Sequence, residues 1–304
     1  KKKISLEVVN PNAAGIDIGS RSHWVAVGQN AQDVKEFGVY SQDHKEMCEW
    51  LQKHNVTTIA MESTGTYWQN IFSALTVFGF EVILVNGRQT KNIKGKKTDI
   101  LDCQWIQKLH TLGLLSSSFL PDSTTAIIRT YSRHRQNILK QSASTVLKIQ
   151  KYLRLMNMRL DVVVNDIVGL TGSAIIQSFI DGEKSGEQLA KHRHYNCRKP
   201  EKEIAKALEY NGREDYYFAL KQEWDTYQHL QKQKIEVDFQ IKSFLEEHID
   251  EHDNKKQHIA SKKPHKRKNK NTITGTDMNQ LSYQYFEGID LMAIEGVNDA
   301  TIMA

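Results

Sequence analysis

Over roughly the first 120 positions, apolar residues fall into short runs of strand length, and between those runs they recur at helical spacing. The runs "AAGIDIGS" and "HWVAVGQ", rich in β-branched and aromatic residues and separated by Gly, Ser and Arg, predict a hairpin. "EFGVYS" predicts a third strand, and "HKEMCEWLQKH" a helix through Met47, Trp50 and Leu51. "TTIAMEST" reads as an apolar strand ending in a turn. "YWQNIFSALTVFGF" carries a helical stripe of Trp68, Ile71, Phe72, Leu75 and Phe78. "EVILVN" is a continuous apolar run of the length expected for a strand buried on both faces.

The predicted order is β-β-β-α-β-α-β-α, with parallel strands after the hairpin and helices on both faces. That order is shared by the ribonuclease-H-like (RuvC-like) fold, so the fold class expected is α/β, with such a domain over residues 1–122. Beyond it the pattern turns helical. Residues 123–199 read as a basic helical segment, with 169–186 a linker or short helices punctuated by glycine. Within 200–252 a long helix is predicted from the stripe Leu220, Trp224, Tyr227, Leu230, Val237, Ile241, Phe244 and His248, which Lys234 interrupts. Coiled-coil pairing is the simplest use of that stripe, and packing on its own domain is the alternative. Residues 253–280 read as a basic flexible linker, and 281–304 begin a further apolar helix with a glycine turn.

Composition changes this picture little, but charge placement changes it a good deal. The net charge is only +5. Between Ser123 and Leu160, however, there are eight Lys or Arg and no acid, and residues 255–270 hold eight more. Five more basic residues and no acid fill 88–97. Such runs suit a polyanion, because each neutralised phosphate releases counterions. Candidate nucleic-acid contacts are Arg88, Lys91, Lys94, Lys96 and Lys97, then Arg129, Arg133, Arg135, Lys140, Lys148 and Lys151. No apolar run approaches the roughly 18 residues of a membrane span, so no membrane partner is expected. The first residues lack the features of a signal peptide. Three scattered cysteines, Cys48, Cys103 and Cys197, suit neither a disulfide framework nor a zinc site, and a reducing cytoplasm is expected.

Four acids stand where acids are hard to explain as solvated surface. If Ala14, Ile16 and Ile18 share one face of their strand, Asp17 points from the other, where an unpaired carboxylate is costly. Glu62 comes at the end of the next core strand, where ligands bind in open α/β sheets. Thr98 is a helix N-cap candidate, which makes Asp99 and Asp102 first-turn residues on one helical face, with Leu101, Trp105, Leu109 and Leu112 holding that helix to the sheet. First-turn acids also complement the helix dipole, so that pair has a structural reading of its own. Four converging carboxylates imply hard divalent cations, Mg²⁺ or Mn²⁺, held through oxygen. Two such ions about 3.5–4 Å apart serve phosphodiester chemistry, and the basic approach at 88–97 would draw a phosphate backbone towards them. Trp24 and Trp105 read as core rather than base-stacking residues, and His23 as a solvated or hydrogen-bonded histidine rather than a metal ligand.

At these residues the chain resembles the DEDD-type insertion-sequence transposases, the group that includes the Piv site-specific DNA invertases. "GIDIGSRSHWVAV", "AMESTGTYWQNIFSAL", "VILVNGRQTKNIKGKKTDILDCQWIQKLHTLGLL" and "RTYSRHRQNILK" stand in that family's order and spacing over residues 12 to 160. The resemblance implies that Asp17, Glu62, Asp99 and Asp102 form the acidic, Mg²⁺-binding catalytic tetrad of a RuvC-like domain. It also implies DNA as substrate, a structured guide RNA as partner, a homodimer or tetramer, and a prokaryotic, nucleoid-associated setting. "LMAIEGVNDATIMA" resembles the entry to the family's second conserved domain, which supplies a serine nucleophile. The expectation is therefore a chain truncated before that serine.

Other readings fit the same residues. "GIDIGS" also resembles the first phosphate loop of actin-like and sugar-kinase ATPases, but neither the second phosphate loop nor the adenosine loop follows. A metal-dependent nuclease of the Holliday-junction-resolvase type would need no serine. A non-catalytic nucleic-acid-binding protein would carry these acids as structural residues.

Overall fold

The computed structural model describes residues 7–63, 65–90, 98–252, 271–273, 277–286, 288–297 and 299–302. These form two compact units, 1–120 and 121–304.

The first unit is a mixed five-stranded sheet with helices on both faces. Its strands are β1 (Ala13–Ile18), β2 (His23–Ala26), β3 (Val34–Phe37), β4 (Thr58–Glu62) and β5 (Glu81–Val85), in the order β3-β2-β1-β4-β5. Neighbours β1, β2 and β3 run antiparallel, and β4 lies parallel to both β1 and β5. Helix α1 (Ser41–Lys53) leads into β4, and α2 (Trp68–Val77) into β5. After β5 come one short turn of helix, α3 (Gly87–Thr90), and then α4 (Asp99–Thr111). The expected element order holds. The third strand lies earlier than "EFGVYS", because Ser41 already opens α1, where the Asp43 carboxylate accepts from the Tyr40 backbone N–H at 2.9 Å.

Alternation along the central strands sorts the two faces. Ala14, Ile16 and Ile18 of β1, with Ile59 and Met61 of β4, pack under Met47, Leu51, Ile71 and Leu75 of α1 and α2. The opposite face carries Gly15 and Asp17 and is covered by α4. Its small residues are the reason a helix can lie there. A Cβ at Gly15 would come within 2.7 Å of the Gln107 Cα, so only glycine lets the α4 backbone come this close.

The second unit is helical: α5 (Ser123–Leu155), α6 (Leu160–Val163), α7 (Leu170–Ile180), α8 (Gly186–Ala190), α9 (Glu201–Ala207), α10 (Glu214–His252) and α11 (Met278–Tyr285), followed by a last short turn at Asp299–Ile302. The glycine-punctuated stretch is α7, whose Ile175, Ile176 and Phe179 are fully buried. A break at Gly212, with φ at +78°, separates α9 from the long helix. The two long helices, α5 and α10, lie antiparallel: Ile149 and Leu153 cluster with Leu220 and Trp224, and at the other end Ile128 clusters with Ile241 and Leu245. Much of the α10 stripe is thus buried within its own chain, and Lys234 on the seam pairs with the buried Asp238 at 3.5 Å. Among the described residues, no helix is long and apolar enough to cross a membrane.

Candidate metal centre and nucleic-acid surface

Register carries the acids of β1 and β4 to neighbouring positions. Ile16 stands opposite Met61, so extending the parallel pairing by one residue sets Asp17 level with Glu62. Asp17 is also opposite Trp24, and Trp24 opposite Glu36. Residues opposed in this way share a face, so Glu36, Trp24, Asp17 and Glu62 form one row across the sheet on the α4 side. Trp24 is half-buried there.

Helix α4 supplies the rest. Thr98 is its N-cap, with the side-chain oxygen accepting from the Leu101 N–H at 3.3 Å, so Asp99 and Asp102 fall in the first turn, where the helix dipole favours negative charge. The far end of α4 is tied down by polar contacts. The Thr58 hydroxyl lies 2.9 Å from the His110 Nε2, the Gln107 amide donates to the Ala13 carbonyl at 3.2 Å, and the Asn10 amide donates to the His110 carbonyl at 2.7 Å. The face buried against the sheet is Cys103, Ile106, Gln107, Leu109 and His110. This corrects the expected stripe: Leu109 is on it, whereas Leu101 is half exposed and Trp105 sits at the edge, donating its indole N–H to the Thr90 carbonyl at 3.0 Å.

With α4 seated in this way, one carboxylate oxygen from each of Asp17, Asp99 and Asp102 lies within 4.8 Å of the others. Asp17 and Asp102 are half-buried and Asp99 is exposed. Cys103 lies beside them, and its thiol is pushed up to about 12, by burial first and then by the Asp17 carboxylate, with a smaller contribution from Asp102. Glu62 does not join the three. Its Oε1 accepts a hydrogen bond from the Thr90 hydroxyl, and its Oε2 would lie 3.2 Å from a Cβ at Gly87. An all-oxygen donor set at the head of a helix, on the floor of an α/β sheet, fits a hard divalent cation.

His23 is neither solvated nor on this side of the sheet. It is buried on the opposite face with its ring centroid 5.4 Å from that of His44, and among the described residues its Nδ1 and the His44 Nε2 have no hydrogen-bond partner. Burial first, and then His44, lower its pKa to about 4.

Of the expected nucleic-acid contacts, Lys91, Lys94, Lys96, Lys97 and the run 255–270 lie outside the described residues. Arg88 sits on α3, beside the acids' end of the sheet. On α5, Arg133, Lys140 and Lys151 are exposed within about 20° of one line along the helix, given 100° per residue. Lys148 flanks them and pairs with Glu223 at 3.2 Å. Arg129 is half-buried beside Leu245, Met278 and Tyr285. Arg135 must be corrected. It is 4% exposed, with Nε donating to the Asp238 carboxylate at 2.5 Å and Nη2 to the Asn271 carbonyl at 2.6 Å, so it belongs to the core of the helix pair.

Reading the residue types alone misses Gly15, Thr90 and Gln107. A signal did exist for Gly15, since a glycine inside a strand pattern marks a close backbone approach.

Residues 14–158 match the family model DEDD_Tnp_IS110, described as a transposase. No curated protein matches the chain.

Proposed function

We propose, for a chain whose residues 14–158 belong to the DEDD transposases of insertion sequences, that the acids under α4 form the metal-dependent site for DNA strand cleavage and transfer. The observation that carries this reading is the meeting of Asp17 with Asp99 and Asp102, more than eighty positions further along the chain, inside the matched region.

On this reading the first unit is a ribonuclease-H-like catalytic domain. Asp17, Asp99 and Asp102 would hold Mg²⁺ or Mn²⁺, with Glu62 the fourth acid. A bound divalent cation polarises a phosphodiester and stabilises charge on the departing oxygen. The chain's own residues do the rest. The α4 N-terminus and Thr98 hold two of the carboxylates in place, and Gly15 lets the helix come down beside Asp17. Arg88 would meet the backbone of the DNA entering the site. The line Arg133, Lys140 and Lys151, with Lys148 beside it, would hold a second polyanion, a structured guide RNA that selects target and donor DNA. Assembly as a homodimer or tetramer would bring two such sites to a pair of DNA ends.

The test is Mg²⁺-dependent nicking of plasmid DNA carrying the sequences that flank the gene, with and without RNA transcribed from those flanks. Asp17→Asn and Asp102→Asn each abolish nicking if the acids are the site, and nicking that survives both changes refutes it. Nicking that ignores the RNA, or that prefers branched DNA, instead supports a structure-specific nuclease.

A further inference from the structure

Glu62 stands level with Asp17 on the neighbouring strand but is held apart from the other three acids by identifiable groups. The Thr90 hydroxyl donates to its Oε1. Thr90 is buried, and the same hydroxyl lies 3.2 Å from the Gly87 carbonyl, so its single proton has a second acceptor within reach. The Thr90 carbonyl in turn accepts from the Trp105 indole at 3.0 Å. Trp105 lies on α4, one turn beyond Asp102. The chain Trp105, Thr90, Glu62 therefore connects the helix bearing two of the acids to the strand bearing the fourth. On the other side of the carboxylate, Gly87 keeps open the space around Oε2: a Cβ there would be 3.2 Å from that oxygen and 3.7 Å from Cδ.

We infer that Thr90 is a positioning residue for Glu62: it holds Oε1 so that Oε2, in the space left by Gly87, is the oxygen offered to a divalent cation. The inference rests on the reading of the acids as a metal site. The physical reason is that a carboxylate on a single bond to its chain rotates freely unless one oxygen is fixed, and groups that hydrogen-bond a ligating carboxylate typically contribute about 10–100-fold to metal affinity. A buried hydroxyl with two acceptors suits this task, because its proton stays satisfied by the Gly87 carbonyl if the carboxylate shifts on binding, and no buried donor is left without a partner. Tying Thr90 to Trp105 makes the position of Glu62 follow that of α4, so the four acids are set relative to one another before any cation arrives.

The test measures Mn²⁺ binding to the full chain by calorimetry and by the loss of the free-ion EPR signal, a readout independent of DNA cleavage. The variants are Asp17→Asn, Thr90→Val, Thr90→Ser and Gly87→Ala, each checked for folding by circular dichroism. The expected result is Mn²⁺ binding by the unaltered chain, lost in Asp17→Asn, weakened about tenfold or more in Thr90→Val, and restored by Thr90→Ser, which keeps the hydroxyl. Thr90→Val binding like the unaltered chain, while Asp17→Asn loses the ion, overturns the role of Thr90 and leaves the metal site standing. Thr90→Ser binding as weakly as Thr90→Val also overturns it. No binding by the unaltered chain, or binding that survives Asp17→Asn, overturns the metal site and this inference together. If Thr90→Val does not fold, Gly87→Ala decides: weakened binding in a folded protein supports the arrangement around Glu62, and unchanged binding refutes it.

Discussion

Arg135 on α5 and Asp238 on α10 meet at 2.5 Å between the two long helices, and both are almost wholly buried. Lys234 is 3.5 Å from the same carboxylate, and the Arg135 guanidinium also donates to the Asn271 carbonyl. Removing one member of a buried pair leaves the other charged and without its partner, which costs about 3–5 kcal/mol, whereas replacing the pair by apolar residues of similar volume is often near neutral. Asp238→Ala should therefore lower the denaturation midpoint sharply, and Arg135→Met with Asp238→Leu should recover most of the loss. The check is urea unfolding followed by helical circular dichroism. Equal losses in the single and double variants would mean the pair is not the source.

Gly15 carries the approach of α4. The Gln107 Cα would be 2.7 Å from an added Cβ, and the atom in the way is backbone, which cannot swing aside. Overpacking of an interior usually costs about 1–3 kcal/mol, and Gly15→Val should reach or exceed the top of that range. It should also weaken Mn²⁺ binding, since the first turn of α4 moves with the rest of the helix. Unfolding and metal titration of the same preparation check both halves. A stable Gly15→Val with normal binding would show that α4 has another way to sit.

Much of the first unit was legible because most of its strands and helices obey one period. β1 separates Ala14, Ile16 and Ile18 from Asp17 by simple alternation, and Thr98 announces the start of α4. What was not legible was held by polar groups. The buried face of α4 includes Gln107 and His110, which count against burial in any reading by hydropathy but are satisfied by the Ala13 carbonyl and the Thr58 hydroxyl. A stripe drawn through the leucines therefore lands partly on solvent. Arg135 failed for the mirror reason. It belongs to an acid-free run, and its partner Asp238 lies 103 positions away. The separation of Glu62 from the other three acids was equally out of reach, because it depends on the hydroxyl of Thr90 and on the space at Gly87.

His23 and His44 set a pH dependence. His23 is buried and its pKa falls from 6.5 to about 4; that of His44 is lowered too, by burial, while Asp43 opposes both shifts. The unfolded chain thus takes up a proton on His23 near pH 6.5 that the folded chain refuses until about pH 4, and the lowered His44 acts in the same direction. The contribution of His23 is complete above pH 6.5 and is lost as the pH falls towards 4. At about 1.4 kcal/mol per unit, His23 alone accounts for up to about 3 kcal/mol of that loss. His23→Phe should flatten the fall between pH 6.5 and 4, with His44 leaving a smaller slope, and unfolding midpoints at half-unit pH steps check it. Parallel curves for the two proteins would mean that His23 is solvated in solution.

The charged line of α5 makes the last prediction, and Arg135 supplies its control. Arg133, Lys140 and Lys151 are exposed, and α5 contains no acid to oppose them. If they hold a nucleic-acid backbone, each contact releases counterions, and the logarithm of affinity falls with the logarithm of salt by about 0.7–0.9 per phosphate neutralised. Converting the three to glutamine should lower affinity for structured RNA and reduce that slope by about two to three units, with little dependence on sequence. Arg135→Met in the Asp238→Leu background removes a cation from the same run but from the interior, and should leave both affinity and slope unchanged. Filter binding across 50 to 300 mM salt separates the two cases. A slope that responds to Arg135 and not to the exposed line would place the RNA elsewhere and would require the helix pair to open on binding.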